Sequence, residues 1–367
     1  MESELNNEPV LVNESEEIKL SQILDNALIK ATDTYKTPPQ IIWIDNSTIA
    51  TLGNFSASTG KAKSKKTFNI SAIVAAALAN GKVLNYCAQL PEGKRKVLYV
   101  DTEQSRFHCH NVLARILKLA GLPTTMDNEN LDFIGLREYP PKLRLQVVDY
   151  ALRKNSGYGL VIIDGIRDMM LDINNASESV CLINTLMRWS SVYDIHIHCV
   201  LHLNKGDDNV RGHIGTELNN KAETVLVISK DSKNANISEV RPMQIRDKDF
   251  APFAFRINEE SLPEMVDNYH SERSIKSISS MGIEQLSIEQ HKEALENAFQ
   301  GKPIKGYESV ISALIKGYAG IGYIRKRSAV AKILSFLLSD AQLIVKQDKV
   351  YYYGEGKTDK GFFDADK

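Results

Sequence analysis

The sequence predicts an α/β fold: a mostly parallel, doubly wound sheet, followed by a small C-terminal module of three helices and a hairpin. Three observations predict it. Strand-like and helix-like runs alternate through most of the chain up to Ala222. The run Leu160-Val161-Ile162-Ile163 is apolar throughout, as a parallel strand covered on both faces must be. Between a strand-like and a helix-like run lies Gly60-Lys61-Ala62-Lys63-Ser64-Lys65-Lys66-Thr67, a loop of the phosphate-binding type.

Residues 1–36 form a polar, acidic arm, with seven acids against Lys19 and Lys30 over residues 1–30, net -5. Ile18, Leu20, Ile23, Leu24 and Leu28 recur at helical spacing, so this stretch either docks on a neighbour or packs on its own domain. Pro38-Pro39 ends it. Residues 37–262 hold the alternation: strand 48–56, loop 60–67, helix 68–79, then strand 97–100 ending at Asp101. A helix through Val112, Ile116 and Leu119 is stopped by Gly121 and Pro123. Strand 131–136, helix 143–153, strand 160–163, a helix through Val180, Ile183 and Leu186, and strand 195–201 complete the series. After Ala222 the β-rich segments 224–229, 238–245 and 253–257 read as a meander extending the sheet.

Residues 263–288 read as a linker, Ser-rich from 271 to 280. Within 289–354, helical periodicity covers 291–299, 307–316 and 328–338, and strands 343–345 and 350–353 flank Gln347-Asp348-Lys349. Three helices and a hairpin describe a winged helix, a fold that often binds DNA. Residues 301–350 carry nine bases and three acids, net +6, so this end attracts phosphate where the N-terminal arm repels it. Arg325, Lys326, Arg327 and Ser328 open the third helix, with Ser328 as N-cap, and are the candidate contacts to duplex DNA; protein docking is the alternative. A polar tail, 355–367, follows.

Composition excludes some classes. Hydrophobic residues at 43% and charged residues at 25% suit a globular chain, and a net charge of -1 gives no global attraction to nucleic acid. Cys87, Cys109, Cys181 and Cys199 are scattered without a C-x-x-C pair, which argues against a disulfide framework or zinc site and for a reducing cytoplasm. No apolar run reaches membrane-spanning length, and the N-terminus is acidic where a signal peptide is basic and then apolar. The expectation is a soluble, cytoplasmic protein without membrane partners.

The chemistry concentrates on strand ends. In the usual G-x-x-x-x-G-K-[ST] pattern the loop aims backbone N–H groups at phosphate oxygens, its lysine bridges the terminal phosphates and its hydroxyl ligates Mg²⁺. Lys66 and Thr67 fill those positions, whereas Lys65 replaces the second glycine. A lysine there either points away from the phosphates or adds a cation to them. Asp164, after an apolar strand, is placed to hold Mg²⁺ through water, and Glu103, after strand 97–100, is placed to orient the attacking water or to cap the helix that follows. His202, beside Asn204 and Lys205, ends the next strand and is the candidate γ-phosphate sensor. The pairs His108/His110 and His196/His198 have no third ligand at metal spacing and read as structural.

The order of this loop, Asp101-Thr102-Glu103, Ile162-Ile163-Asp164, Leu203-Asn204-Lys205 and the stretch 210–217 up to Ala222-Glu223 resembles the RecA-type core of hexameric replicative helicases. It is most similar to the plasmid RepA-like and DnaB-like branches and to ATPases of Bacteroides-type mobile elements. The resemblance covers about residues 40–260. It implies a ring of subunits with ATP between neighbours, Lys66 and Thr67 on phosphate and Mg²⁺, Glu103 as base, Asp164 supporting Mg²⁺, and His202 as sensor. It further implies that 206–217, with Arg211, faces single-stranded DNA in the pore. Arg246 or Lys248 would be the basic finger sent into the adjacent site. A primase or relaxase is the implied partner, although no DnaB-like primase-binding domain is expected. The primary expectation is an ATP-driven DNA motor or helicase loader of a plasmid or mobile element. The alternatives are a nucleotide-gated DNA-binding regulator with little hydrolysis, if Lys65 removes turnover, and a signalling ATPase acting on proteins.

Overall fold

Apolar strands that need cover on both faces, linked by helices each with one apolar face, have few ways to close, and this chain takes the doubly wound one. The computed structural model describes residues 14–172, 174–203, 212–231, 234–267, 269, 282–283 and 286–353. The chain divides into two compact units, 1–38 and 39–367. In the first, helix α1 (Glu14–Ala27) is followed by a turn in which the Lys30 N–H donates to Asp33 Oδ2 at 2.8 Å.

The second unit begins with β1 (Gln40–Ile44), β2 (Ser47–Thr51), β3 (Phe55–Gly60), α2 (Lys66–Ala79), β4 (Lys82–Val83) and β5 (Tyr86–Ala88). Next come β6 (Lys96–Asp101), α3 (Arg106–Leu119), β7 (Leu131–Gly135), α4 (Pro141–Lys154), β8 (Tyr158–Asp164), α5 (Ala176–Tyr193), β9 (His196–His202) and α6 (Gly212–Lys221). Strands β10 (Thr224–Lys230), β11 (Ile237–Ile245), β12 (Phe253–Ile257) and β13 (Pro263–Met265) finish the large sheet, whose order is β13-β12-β11-β10-β3-β9-β8-β6-β7. From β10 to β7 every neighbour is parallel, while β10 to β12 form the expected meander, antiparallel throughout, and β13 adds a further antiparallel strand. One face buries Ile70, Val74 and Ile116 of α2 and α3; the other buries Val148, Leu186 and Leu218 of α4, α5 and α6. The strands step outward from β3 through β6 to β7 and then back through β8 and β9 to β10, so connections leave β3 and β6 on one face and their neighbours β9 and β8 on the other. Between strands whose connections part in this way, the carboxyl ends open a crevice.

The expected strand 48–56 is divided in two. Gly53 takes φ 81° and the Asn54 N–H donates to Thr51 O, so the chain turns after β2 and re-enters as β3. This leaves β2 in a separate antiparallel sheet, β2-β1-β5-β4, which sequence pattern did not reveal. Strand β13 pairs with β12 within the stretch read as the start of the linker.

The C-terminal stretch forms α7 (Ile288–Phe299), β14 (Ile304–Lys305), α8 (Tyr307–Gly320), α9 (Arg327–Ser339), β15 (Val345–Gln347) and β16 (Val350–Tyr352). Ser287 and Gln290 close a reciprocal capping box at the start of α7. Val310, Leu314, Ile333, Leu337 and Tyr351 bury a core of their own, and β14-β16-β15 make a small antiparallel sheet.

Candidate active site

Parallel register puts the chemistry-bearing residues on one edge. Gly60 pairs with His202 and Asp101 with Asp164, so the ends of β3, β9, β6 and β8 stand side by side at the crevice. Gly60 must be glycine: a Cβ there would lie 2.2 Å from the Ile228 carbonyl oxygen and 2.6 Å from Ser64 Oγ. The chain bends through residues 60–67 into α2, where Lys66 is the first helical residue. A cleft of about 380 Å³ lies over this edge, lined by Lys66, Thr67, Glu103, Asp164 and His202 among others.

Lys66 is the hub. Its Nζ donates to the carbonyls of Gly60 at 2.9 Å and Lys61 at 3.1 Å and lies 3.0 Å from His202 Nδ1. Burial lowers its pKa to about 8, against the pull of Asp164 and Glu103. The other ring nitrogen of His202 stands 3.7 Å from Glu103 Oε1. That imidazole is the main reason the Glu103 pKa is lowered, ahead of Lys66 and Arg167, which also favour its charged form. Glu103 is thereby kept as a carboxylate, the form a base requires.

Asp164 shows the opposite shift. It is buried, and burial pushes its pKa up to about 6, reinforced by Asp101 and Glu103. Its Oδ2 accepts from Tyr99 OH at 2.8 Å and Thr67 Oγ1 at 3.2 Å. Both donors are neutral, so the negative charge is only partly compensated, and a hard divalent cation suits this oxygen set. Ser64 Oγ, buried in the loop, has no hydrogen-bond partner among the described residues. An anionic oxygen in the loop would satisfy it.

Lys65 stands at the cleft wall with its ammonium engaged by a carbonyl of another segment. It takes the left-handed conformation the missing glycine would have taken, φ 67° and ψ 30°, and its Nζ donates to the Asn236 carbonyl at 2.5 Å. Burial and then Lys230 lower its pKa. Lys61, Ala62 and Lys63 are exposed, and Lys63 stands at the cleft wall.

Sequence reasoning missed several parts of the cleft. Tyr99 grips Asp164 from the neighbouring strand, and its signal was a lone hydroxyl in an apolar run, two residues before Asp101. Thr102 Oγ1 lies 2.9 Å from the Gly165 carbonyl oxygen and 3.1 Å from that of Asp164, and its one proton bridges the two strand ends. At the outer wall the Arg115 guanidinium lies 3.7 Å over the Phe68 ring centroid. Asp101 faces its own turn, accepting from the N–H groups of Glu103 and Gln104.

Other candidates lie elsewhere. His196 and His198 are buried on β9, both 2.7 Å from Ser56 Oγ, and His198 Nε2 is 2.8 Å from Ser58 Oγ. Within the chain, the structure does not bring Arg246 and Lys248 to the cleft. They follow β11 at the opposite end of the sheet, where Arg246 Nη2 donates to the last carbonyl of α6, Lys221 O. Arg211, Asn204 and Lys205 lie outside the described residues. Residues 212–217, read as part of a DNA-facing loop, are the start of α6, because Ile214 and Leu218 at helical spacing bury against the sheet. In the C-terminal module Lys326, not Ser328, is the N-cap residue of α9, and Ser328 is the helix's second residue. Lys326 and Ser328 are exposed, Arg325 stacks 4.0 Å over Tyr323, and Arg327 pairs with Glu308. Among the described residues no helix is long and apolar enough to cross a membrane.

The AAA domain family matches residues 19–208, more than half of the chain and the whole stretch carrying Gly60, Lys66, Glu103, Asp164 and His202. The chain belongs to the AAA domain family. Such a domain is a phosphate-loop ATPase module, and the matched stretch spans residues 60–67 and Asp164. Among solved structures the chain is similar to the RadB recombinase, at 16% identity over 61% of this chain and 95% of that one, with a TM-score of 0.43. No curated protein matches.

Proposed function

We propose that the chain is an ATP-hydrolysing, DNA-acting motor or helicase loader of the RepA-like and DnaB-like kind, serving replication or mobilisation of a plasmid or mobile element. One observation carries the reading: Lys66, Glu103, Asp164 and His202, from four separate elements, meet at the carboxyl edge of a parallel sheet.

In this reading the loop amides and Lys66 hold the triphosphate, and Lys66 exchanges its two carbonyl partners for phosphate oxygens. Thr67 and Asp164 would hold Mg²⁺, which when bound neutralises charge developing on the phosphates. Glu103, held ionised, orients the attacking water and accepts its proton. His202, between Lys66 and Glu103, links the phosphate to the base. Subunits in a ring would place Arg246 or Lys248 toward a neighbour and Arg211 toward single-stranded DNA. The C-terminal module, as a winged helix, would hold duplex DNA through Arg325, Lys326, Arg327 and Ser328, and a primase or relaxase would be the partner.

The rival reading, a regulator that binds ATP without turnover, was motivated by Lys65. Its ammonium is engaged by the Asn236 carbonyl, outside the group of Lys66, Glu103, Asp164 and His202, which supports the motor. The deciding measurement is ATP turnover with and without single-stranded DNA, for wild type and Lys66→Ala. Expected is DNA-stimulated phosphate release that Lys66→Ala abolishes. Turnover indifferent to DNA, or equal in both proteins, overturns the proposal.

A further inference from the structure

The phosphate loop of this chain is tied from outside. Lys65 is the N-cap residue of α2: its carbonyl accepts from the N–H groups of Phe68 at 3.1 Å and Asn69 at 3.2 Å, while its own side chain caps nothing in the helix. Whatever holds the Lys65 backbone in its left-handed conformation therefore sets where the next amides, those of Lys66 and Thr67, point. A glycine would adopt that conformation without steric cost; a lysine does not.

The side chain supplies the hold. Lys65 Nζ reaches the Asn236 carbonyl, and it stays there although Lys230 lies close enough to disfavour its charge. The anchor itself is braced. The Asn236 N–H donates to Asn234 Oδ1 at 3.0 Å, the Ile237 N–H to Asn234 O at 2.9 Å, and the Asn234 N–H to Asp231 Oδ1 at 2.9 Å. Tyr269 OH, from the segment after the sheet, stands between Asp231 Oδ2 of this turn at 3.0 Å and Glu239 Oε2 at 2.7 Å, with one proton to share between them.

We propose that Lys65 is a positioning residue that clamps the phosphate loop to the β10–β11 turn through the Asn236 carbonyl, replacing a glycine's conformational freedom with a tether that slows nucleotide release. The clamp rests on the ATPase reading above. It acts on the bound nucleotide's residence time and not on the chemistry, since Lys65 touches none of Glu103, Asp164 or His202.

The test is stopped-flow release of a fluorescent ADP analogue from the full chain, for wild type, Lys65→Ala, Lys65→Arg and Lys65→Gly, alongside thermal stability. Alanine keeps the strained backbone and loses the tether, so release accelerates about fivefold, the effect of one hydrogen bond. Arginine can still donate to the carbonyl and stays within about twofold of wild type, and glycine, free of strain, releases more slowly than alanine. Melting temperatures of the four proteins separate a faster release from a general loss of structure. Alanine within about twofold of wild type, or arginine as fast as alanine, overturns the clamp. Wild type that binds no nucleotide overturns the ATPase reading and the clamp together, whereas wild type that binds while alanine matches it overturns the clamp alone.

Discussion

Replacing Asp164 by asparagine should stabilise the nucleotide-free protein while destroying its activity. The carboxyl is pushed from its ordinary 3.8 up to about 6 by burial, and the neighbours Asp101 and Glu103 push the same way. Because the folded pKa lies above the unfolded one, the fold binds this proton more tightly than the unfolded chain does. The ionised group therefore costs nothing below about pH 3.8, costs progressively more through the window up to about 6, and costs its full amount above that. At 1.36 kcal/mol per pH unit the full cost is about 3 kcal/mol. Asparagine keeps an oxygen to accept from Tyr99 and Thr67 but carries no charge, so the penalty disappears. Without nucleotide or metal, the variant should melt about 4 °C above wild type at pH 7.5, and the gap should close as the pH approaches 4. Mg²⁺ and ATP should then raise the wild type and leave the variant unmoved. Scanning fluorimetry from pH 4 to 8 reads both. A variant no more stable than wild type at pH 7.5, or a gap that does not shrink in acid, refutes the argument that burial strains this carboxylate.

Lys66 has a free-protein pKa of about 8, so at pH 8 about half of the molecules must gain a proton to meet phosphate as an ammonium. Calorimetry in buffers of different ionisation enthalpy should register proton uptake on ATP binding at pH 8 and little at pH 6.5. His196 and His198 are fully buried, and burial lowers their pKa values to about 4 and about 3. Their stability contribution is present above about pH 6.5 and is lost as pH falls, about 2 kcal/mol each by pH 5. Denaturant midpoints should drop over that range, and less steeply in His198→Gln; an unchanged slope counts against it. Gly60→Ala should abolish nucleotide binding, because its Cβ must displace the Ile228 carbonyl or Ser64; retained affinity by calorimetry would contradict the close approach. Arg325→Ala with Lys326→Ala should weaken binding to duplex DNA and reduce its salt dependence by about two phosphate contacts, read by fluorescence anisotropy across salt concentrations.

What the sequence revealed and what it hid follow one physical division. A parallel sheet converts strand order into position. Once 97–100 and 160–163 read as parallel strands, Asp101 and Asp164 must lie on the same sheet edge, while their direct pairing comes from the strand order that the fold adds. Gly60 and His202 meet by the same rule. Backbone placement of the site was therefore legible without knowing a single contact. Side-chain direction was not, because it is decided by partners that local pattern does not connect. Lys65 left two possibilities open, and the carbonyl that engages its ammonium lies 171 positions further along the chain. The small sheet of β1, β2, β4 and β5 escaped notice because β4 and β5 are too short to show a period, and because one turn at Gly53 hides inside an apolar run. The pore segment was misread in part for the opposite reason. Resemblance in motif order suggested a loop, while Ile214 and Leu218, four residues apart, already carried the apolar face of a helix. Where motif order and hydrophobic periodicity disagree, burial decides the local structure, so periodicity is the better guide to shape. Motif order remains the better guide to which strand ends will carry the chemistry.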